Sequence, residues 1–249
     1  MNLTLPPNKS FRKDIEYFHH KLLHNENFTL SKYADGEWAV LENRHINNKE
    51  FWFDPDNKND KIKRDKLWKS FQYKNPRYYV GISCPCCQGM EVFNKMNDMC
   101  FQDETNLTWA NIWVNSNYRY FVENIIPLFS NRTVVLFCNK NSKIQNLPFS
   151  PYLVFPLENN SWEYNWNLIE ESKYAIEYIN KTIQKNLLVL FCCGPFGNIL
   201  SYELTKDIPD NTYLDIGSTL NPWLQSEGFK RDYYMGNTFF ANMICRWGK

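Results

Sequence analysis

Short unbroken apolar runs alternate along this chain with longer stretches in which apolar residues recur every three or four positions, the rhythm of strands and helices. Phe11, Ile15, Phe18 and Leu22 fall at helical spacing after a Pro6-Pro7 lead-in and predict an opening amphipathic helix. Phe28 to Tyr33 alternates as a half-buried strand, and Arg77 to Ser83, Thr133 to Cys138 and Tyr152 to Phe155 read as further strands. The polar stretch from Asn47 to Asp65 predicts a surface loop, followed by a short helix carrying Leu67, Trp68 and Phe71. Two more helical faces are marked by Tyr118, Phe121, Val122, Ile125, Ile126 and Phe129, and by Leu168, Ala175, Ile176, Ile179 and Ile183.

The run from Leu187 to Cys193 is too short for a helix and is stopped by Gly194-Pro195, so it reads as a strand buried on both faces. Gly194 and Gly197 bracket a tight turn, Asn198 stands where a cap is expected for a helix carrying Ile199, Leu200 and Leu204, and Tyr213 to Gly217 is the next strand. In such a unit the helix start and the turn amides offer a phosphate site at the carboxyl ends of the strands. The glycines fit a plain tight turn as well; they match neither a G-x-G-x-x-G fingerprint nor a P-loop. Taken together the elements predict an α/β layered domain of Rossmann-like type, a largely parallel sheet flanked by helices, formed by residues 1–249 as a single domain.

Composition narrows the function classes. The chain has 249 residues, 43% of them hydrophobic, and a formal charge of +1, so no global field points to nucleic acid or to an anionic membrane. No leader opens it and no apolar stretch approaches the roughly 20 residues of a membrane span, which predicts a soluble, cytoplasmic protein. The eight cysteines read as reduced thiols, Cys138, Cys192 and Cys193 within apolar strand runs. Cys84, Cys86 and Cys87 with Cys100 further on are either zinc ligands or free thiols lining a loop. His20 and His24 are one turn apart, but no third ligand accompanies them. The 17% aromatic content suits either platforms for sugar rings or core packing.

Asp35 and Glu37 flank Gly36 at the end of the first strand. A carboxylate pair so spaced can hold a hard divalent ion while Gly36 lets a ligand approach, or it can be an Asp-Gly turn with a helix-starting Glu. Asn115 and Arg119 project from the start of a helix where a polar ligand can be met; a surface ion pair is the other reading of Arg119.

Three segments in order resemble a known family, the GT-D-fold glycosyltransferases. Lys32-Tyr-Ala-Asp-Gly-Glu37 resembles the family's R-F-G-D-G-E with its D-x-E motif, and Trp113-Val-Asn-Ser-Asn-Tyr-Arg119 is similar to its Y-x-N-A-x-x-x-R. Leu188 to Leu204 followed by Leu214-Asp-Ile-Gly217 is similar to A-L-G-P-T-A-x-V-L-A-Y-D-L and D-I-G. The resemblance implies transfer of a hexose from a nucleotide sugar, a UDP-sugar in particular, to a glycan or glycoconjugate, with Mn²⁺ or Mg²⁺ near the D-x-E acids. It implies that Asp35 and Glu37 position the cation and diphosphate. Gly194, Pro195, Gly197 and Asn198 would contact a phosphate or ribose, Lys32 and Arg119 would serve as cationic helpers, and, if the transfer inverts the anomeric centre, Asp215 would accept the acceptor hydroxyl's proton; capping a turn is the other reading of Asp215. Lys32 in place of Arg keeps the charge but loses the bidentate fork. Two other classes compete. A Rossmann-type methyltransferase or other nucleotide enzyme would use Asp215 as its strand-end acid, and a zinc-stabilised interaction module would rest on Cys84, Cys86, Cys87 and Cys100.

Overall fold

The computed structural model describes residues 9–48, 50–225 and 231–248; the Pro6-Pro7 lead-in lies outside them. Among the described residues nine strands form in chain order: β1 (Thr29–Lys32), β2 (Ile46–Asn47), β3 (Trp52–Phe53), β4 (Tyr78–Ile82), β5 (Leu107–Trp109), β6 (Val134–Asn139), β7 (Leu153–Leu157), β8 (Leu188–Phe191) and β9 (Thr212–Asp215). Seven of them build one sheet in the order β5-β4-β1-β9-β8-β6-β7, and every pairing in it is parallel. β2 and β3 pair separately and antiparallel.

The first strand is therefore central rather than half-buried at one side. Thr29, Leu30 and Ser31 are all buried between β4 and β9, because the chain lays β4 and β5 on one side of β1 and returns from the other side to place β9 against it. Adjacent strands whose connections leave in opposite directions create a crevice at their carboxyl ends, the usual ligand position in open α/β sheets.

Period-two alternation divides the apolar residues between two cores. Val135, Phe137, Val189 and Phe191 face the cluster that holds Phe196, Ile199, Leu200 and Leu204 of the Pro195–Asp207 helix. Val134, Leu136, Leu188 and Leu190 face the other, packed by Phe11, Ile15, Phe18 and Leu22 of the Phe11–Leu23 helix. Helices on both faces of a parallel sheet are what its doubly buried strands require.

Several local expectations are corrected. The polar stretch before Leu67 is not all loop: Asn57 accepts from the amides of Asn59 and Asp60 and starts the Lys58–Phe71 helix, while β2 and β3 form just before it. Cys84 begins the Pro85–Met99 helix, which is interrupted at Gly89, where φ is +85°. The helix after Arg119 is broken as well, with a π segment at Phe121–Ile125 before Pro127. β8 ends at Phe191, so Cys192 and Cys193 lie half-buried just past the strand rather than within it. Trp38, Trp109, Trp113 and Trp162 are fully buried, so these rings belong to the core and not to a sugar platform.

Candidate functional site

The carboxyl ends of β1, β8 and β9 bring together the acids, the lysine and the glycine turn. β1 delivers Lys32 and then Asp35, the first residue of the Asp35–Leu41 helix, in which Glu37 follows. β9 ends on Asp215. Lys32 is pinned to it twice: its amide donates to Asp215 Oδ2 at 3.0 Å, and its Nζ stands 3.9 Å from Oδ1. Trp113 Nε1 donates to the Asp215 carbonyl at 3.0 Å, fixing the strand end from the opposite core.

Glu37 serves two neighbours. Oε2 accepts the Ala34 amide at 3.0 Å and so caps its own helix, the helix-starting role open to it from the sequence. Oε1 faces the glycine turn: a Cβ built on Gly194 would lie 4.0 Å from it. Burial pushes the Glu37 carboxyl up to about 7; the charges of Asp215 and then Asp35 push the same way, against backbone hydrogen bonds. Asp215 is likewise raised by burial, opposed by the Lys32 charge and the amides of Lys32 and Gly217. Asp35 itself is exposed. Three carboxylates at neighbouring strand ends make a donor set that suits a hard cation, whose charge would offset the burial and the neighbouring charges that hold Glu37 protonated.

The glycine turn differs in detail from its sequence reading. Gly194, exposed and at φ +54°, is the N-cap, and the Pro195–Asp207 helix starts four residues earlier than an Asn198 cap would have it. Pro195 has no N–H, and the Gly197 amide is bound to the Gly194 carbonyl at 2.8 Å, so neither offers an amide to a phosphate. Gly197 instead permits close packing, since a Cβ there would come within 3.1 Å of Phe191 Cβ and 3.2 Å of Cys193 Sγ. Asn198 does not cap. Its buried amide donates to Ser31 Oγ at 2.9 Å and to the Lys32 carbonyl at 2.8 Å, tying the helix to β1 under the site.

Gly36 lies beneath Phe51, 3.8 Å from where its Cβ would be, so the turn between β2 and β3 leans over the acidic loop. Asn115 is buried and donates to Cys245 Sγ at 3.4 Å rather than opening on the cleft. Arg119 is not brought to the acids. Its side chain is 87% exposed and pairs with Glu123 at 2.7 Å, the surface ion pair. Gly217, read from the sequence as the end of a strand, lies past it: β9 stops at Asp215, and the φ of +56° at Gly217 turns the chain beside Lys32 Nζ.

Two shallow depressions lie apart from these residues. One, lined by Ile208, Pro209 and Asp210 among others, is at the amino ends of the strands; the other is lined by β2, β3 and their flanks. Strand-end geometry and the buried, acid-flanked carboxyl of Glu37, rather than concavity, mark the site.

No family model and no curated protein matches the chain. Two solved structures are similar to it, both of domain of unknown function 1792, one of them selenomethionine-substituted, and that domain is described as having a distinct glycosyltransferase fold. Their TM-scores are 0.56 and 0.57 at 14% identity, over 82% of this chain and 77% of each of theirs. With its seven parallel strands between two helical layers, the chain has the fold of domain of unknown function 1792, a distinct glycosyltransferase fold.

Proposed function

We propose that the protein is a metal-dependent glycosyltransferase that moves a hexose from a nucleotide sugar, a UDP-sugar, to a glycan or glycoconjugate acceptor. The observation that carries the reading is the meeting of Lys32, Glu37 and Asp215 at the carboxyl ends of β1 and β9, opposite the Gly194 helix start, on a glycosyltransferase fold.

Asp35 and Glu37 would hold Mn²⁺ or Mg²⁺, which when bound supplies positive charge for the diphosphate that leaves. Glu37 is poised for this by its shared field with Asp215 and Asp35: its proton is lost readily once a positive charge enters the cleft. Lys32, held by Asp215, presents its ammonium beside the same cleft as a second charge for the diphosphate. Gly194 keeps that side of the cleft open, because any side chain there would approach Glu37. If the transfer inverts the anomeric centre, Asp215 is the proton acceptor for the acceptor hydroxyl, its basicity raised by burial. Asn115 and Arg119, directed elsewhere, have no part in the proposal.

The test is a thermal shift against UDP-, GDP- and dTDP-sugars with and without Mn²⁺. A ligand that binds only the folded form raises apparent stability by mass action, about 2.7 kcal/mol at a hundredfold excess over Kd. A Mn²⁺-dependent rise with one nucleotide supports the reading, and no rise with any of them contradicts it.

A further inference from the structure

Away from the acids, four thiols converge at the carboxyl end of β4. Cys84, Cys86 and Cys87 come from one short turn and Cys245 from the end of the chain, and their four Sγ atoms lie within 4.8 Å of one another. Among the described residues it is the only such gathering of three or more metal-ligating side chains. Cys100, the fourth cysteine suggested by sequence spacing, is elsewhere: its thiol is buried against the Asn97 carbonyl at 3.2 Å.

We propose that Cys84, Cys86, Cys87 and Cys245 bind a single structural zinc ion as a tetrathiolate. Zn–S bonds of about 2.3 Å in a tetrahedron put sulfurs about 3.8 Å apart. The distances from Cys84 Sγ to Cys86 Sγ and Cys87 Sγ are 3.0 and 3.3 Å, and the 4.8 Å limit on all pairs brackets that value. Small adjustments of χ1 close the shell. A polynuclear iron–sulfur cluster interposes sulfides and several irons between its cysteines and needs wider spacing. A disulfide needs about 2.05 Å, and it would use two thiols where four are assembled.

The surroundings match a thiolate site. Asn111 Nδ2 donates to Cys87 Sγ at 2.9 Å and Asn115 Nδ2 to Cys245 Sγ at 3.4 Å. Such N–H···S bonds offset the charge of four thiolates around one divalent ion and fix the orientation of the ligands. They also give buried Asn115 a reason to be where it is. The backbone is shaped for chelation: the Cys87 and Gln88 amides both bond to the Cys84 carbonyl, at 3.0 and 3.2 Å, closing one turn, and Gly89 at φ +85° breaks the helix directly after it. The fourth ligand is delivered by a segment that otherwise has modest anchors, the Ser116 amide on the Met243 carbonyl at 3.2 Å and Trp247 against Trp109 and Phe93.

With four protein ligands no position remains for substrate, so the ion is a clamp and not a reactive centre. Binding releases the thiol protons to solvent and ties the end of the chain to the rim of β4. That rim adjoins the acidic cleft: Gln88 Nε2 donates to Ser83 Oγ at 3.0 Å, and Ser83 Oγ donates to the Tyr33 carbonyl at 3.5 Å, two residues before Asp35.

The experiment is metal analysis of protein purified under reducing conditions from zinc-supplemented culture, beside cobalt titration of the reduced, metal-stripped protein. Expected are one equivalent of zinc per chain, and with Co²⁺ the intense visible bands of tetrahedral thiolate coordination. Cys86→Ser, at an exposed position that does not threaten folding, should lose most of the zinc, as should Cys245→Ser, while Cys100→Ser keeps it. Stripping zinc should lower the melting temperature, and Zn²⁺ should restore it. Absence of stoichiometric zinc with a flat cobalt titration, stoichiometric iron in its place, zinc retained in both Cys86→Ser and Cys245→Ser, or a disulfide in freshly purified protein would overturn the site. None of these outcomes depends on sugar-nucleotide binding.

Discussion

The Lys32 amide donates to the Asp215 carboxylate at 3.0 Å, while the Lys32 ammonium stands 3.9 Å from the other oxygen of the same group. One residue pair thus joins the first and last strands of the sheet at its carboxyl end, the usual ligand side of open α/β sheets, and orients the lysine by its own backbone. Removing the carboxylate leaves a largely buried ammonium and an amide without partners. Asp215→Ala is expected to lower stability by on the order of 3 kcal/mol, and Asp215→Asn, whose amide oxygen still accepts from Lys32, by about 1–2 kcal/mol. Urea unfolding of the three proteins at one pH checks the order; equal midpoints would show that the pair does not anchor β1 to β9.

If Glu37 holds the proposed cation, its binding must depend on pH. Its folded pKa of about 7 lies above the ordinary 4.5, so without a cation the fold loses stability as pH rises through that window, and the neutral form carries the stability below it. A cation requires the charged form. Mn²⁺ affinity should therefore climb by up to about tenfold per pH unit below 7 and level above it. Calorimetric titration from pH 5.5 to 8.5 measures this, with Glu37→Gln as the control expected to bind weakly at every pH. A flat profile for the parent would detach Glu37 from the cation.

Two glycines three residues apart, Gly194 and Gly197, should respond differently. At Gly197 an added methyl meets Phe191 Cβ at 3.1 Å and Cys193 Sγ at 3.2 Å, so Gly197→Ala should cost about 1–3 kcal/mol of stability by overpacking. Nucleotide affinity of the protein that remains folded should stay within about threefold of the parent, or roughly 0.6 kcal/mol. Gly194→Ala strains a backbone at φ +54° at a cost of about 1–3 kcal/mol and also brings a methyl toward Glu37, so affinity should fall as well. Melting curves with and without the nucleotide separate the two; the reverse pattern would put Gly197, not Gly194, against the ligand.

Much of this fold was legible in the sequence because strands buried on both faces write their apolar residues without interruption. Leu187 to Phe191 and Val134 to Cys138 are such runs, and the helices from Phe11 and Leu168 follow their periodicity to within a few residues. β5 was not legible: Leu107-Thr-Trp109 is three residues long, its strand character coming from pairing with β4 rather than from its own pattern. The same holds for the start of the Pro195–Asp207 helix. Asn198 has a cap's chemistry, and nothing local says that Ser31 and the Lys32 carbonyl lie within its reach. At the site, the acids were visible as a spaced pair, but the coupling of Glu37 to Asp215 ahead of Asp35 depends on two strands remote in sequence being neighbours. Arg119 and Cys100 show the converse, residue types suited to a site whose elements point them elsewhere.

The central claim is that Asp35 and Glu37 hold a cation needed for sugar transfer. The most direct test is turnover of a UDP-sugar across a Mn²⁺ titration for the parent, Asp35→Asn and Glu37→Gln, each beside a melting curve. Amides keep the shape and the helix-start hydrogen bond, so both variants should melt within about 1 kcal/mol of the parent in stability. Loss of the cation's charge on the leaving diphosphate should cost several kcal/mol of barrier, a turnover lower by about two orders of magnitude or more. Folded variants with near-parental turnover and unchanged Mn²⁺ dependence would contradict the site; normal melting with turnover lost in both is the expected result.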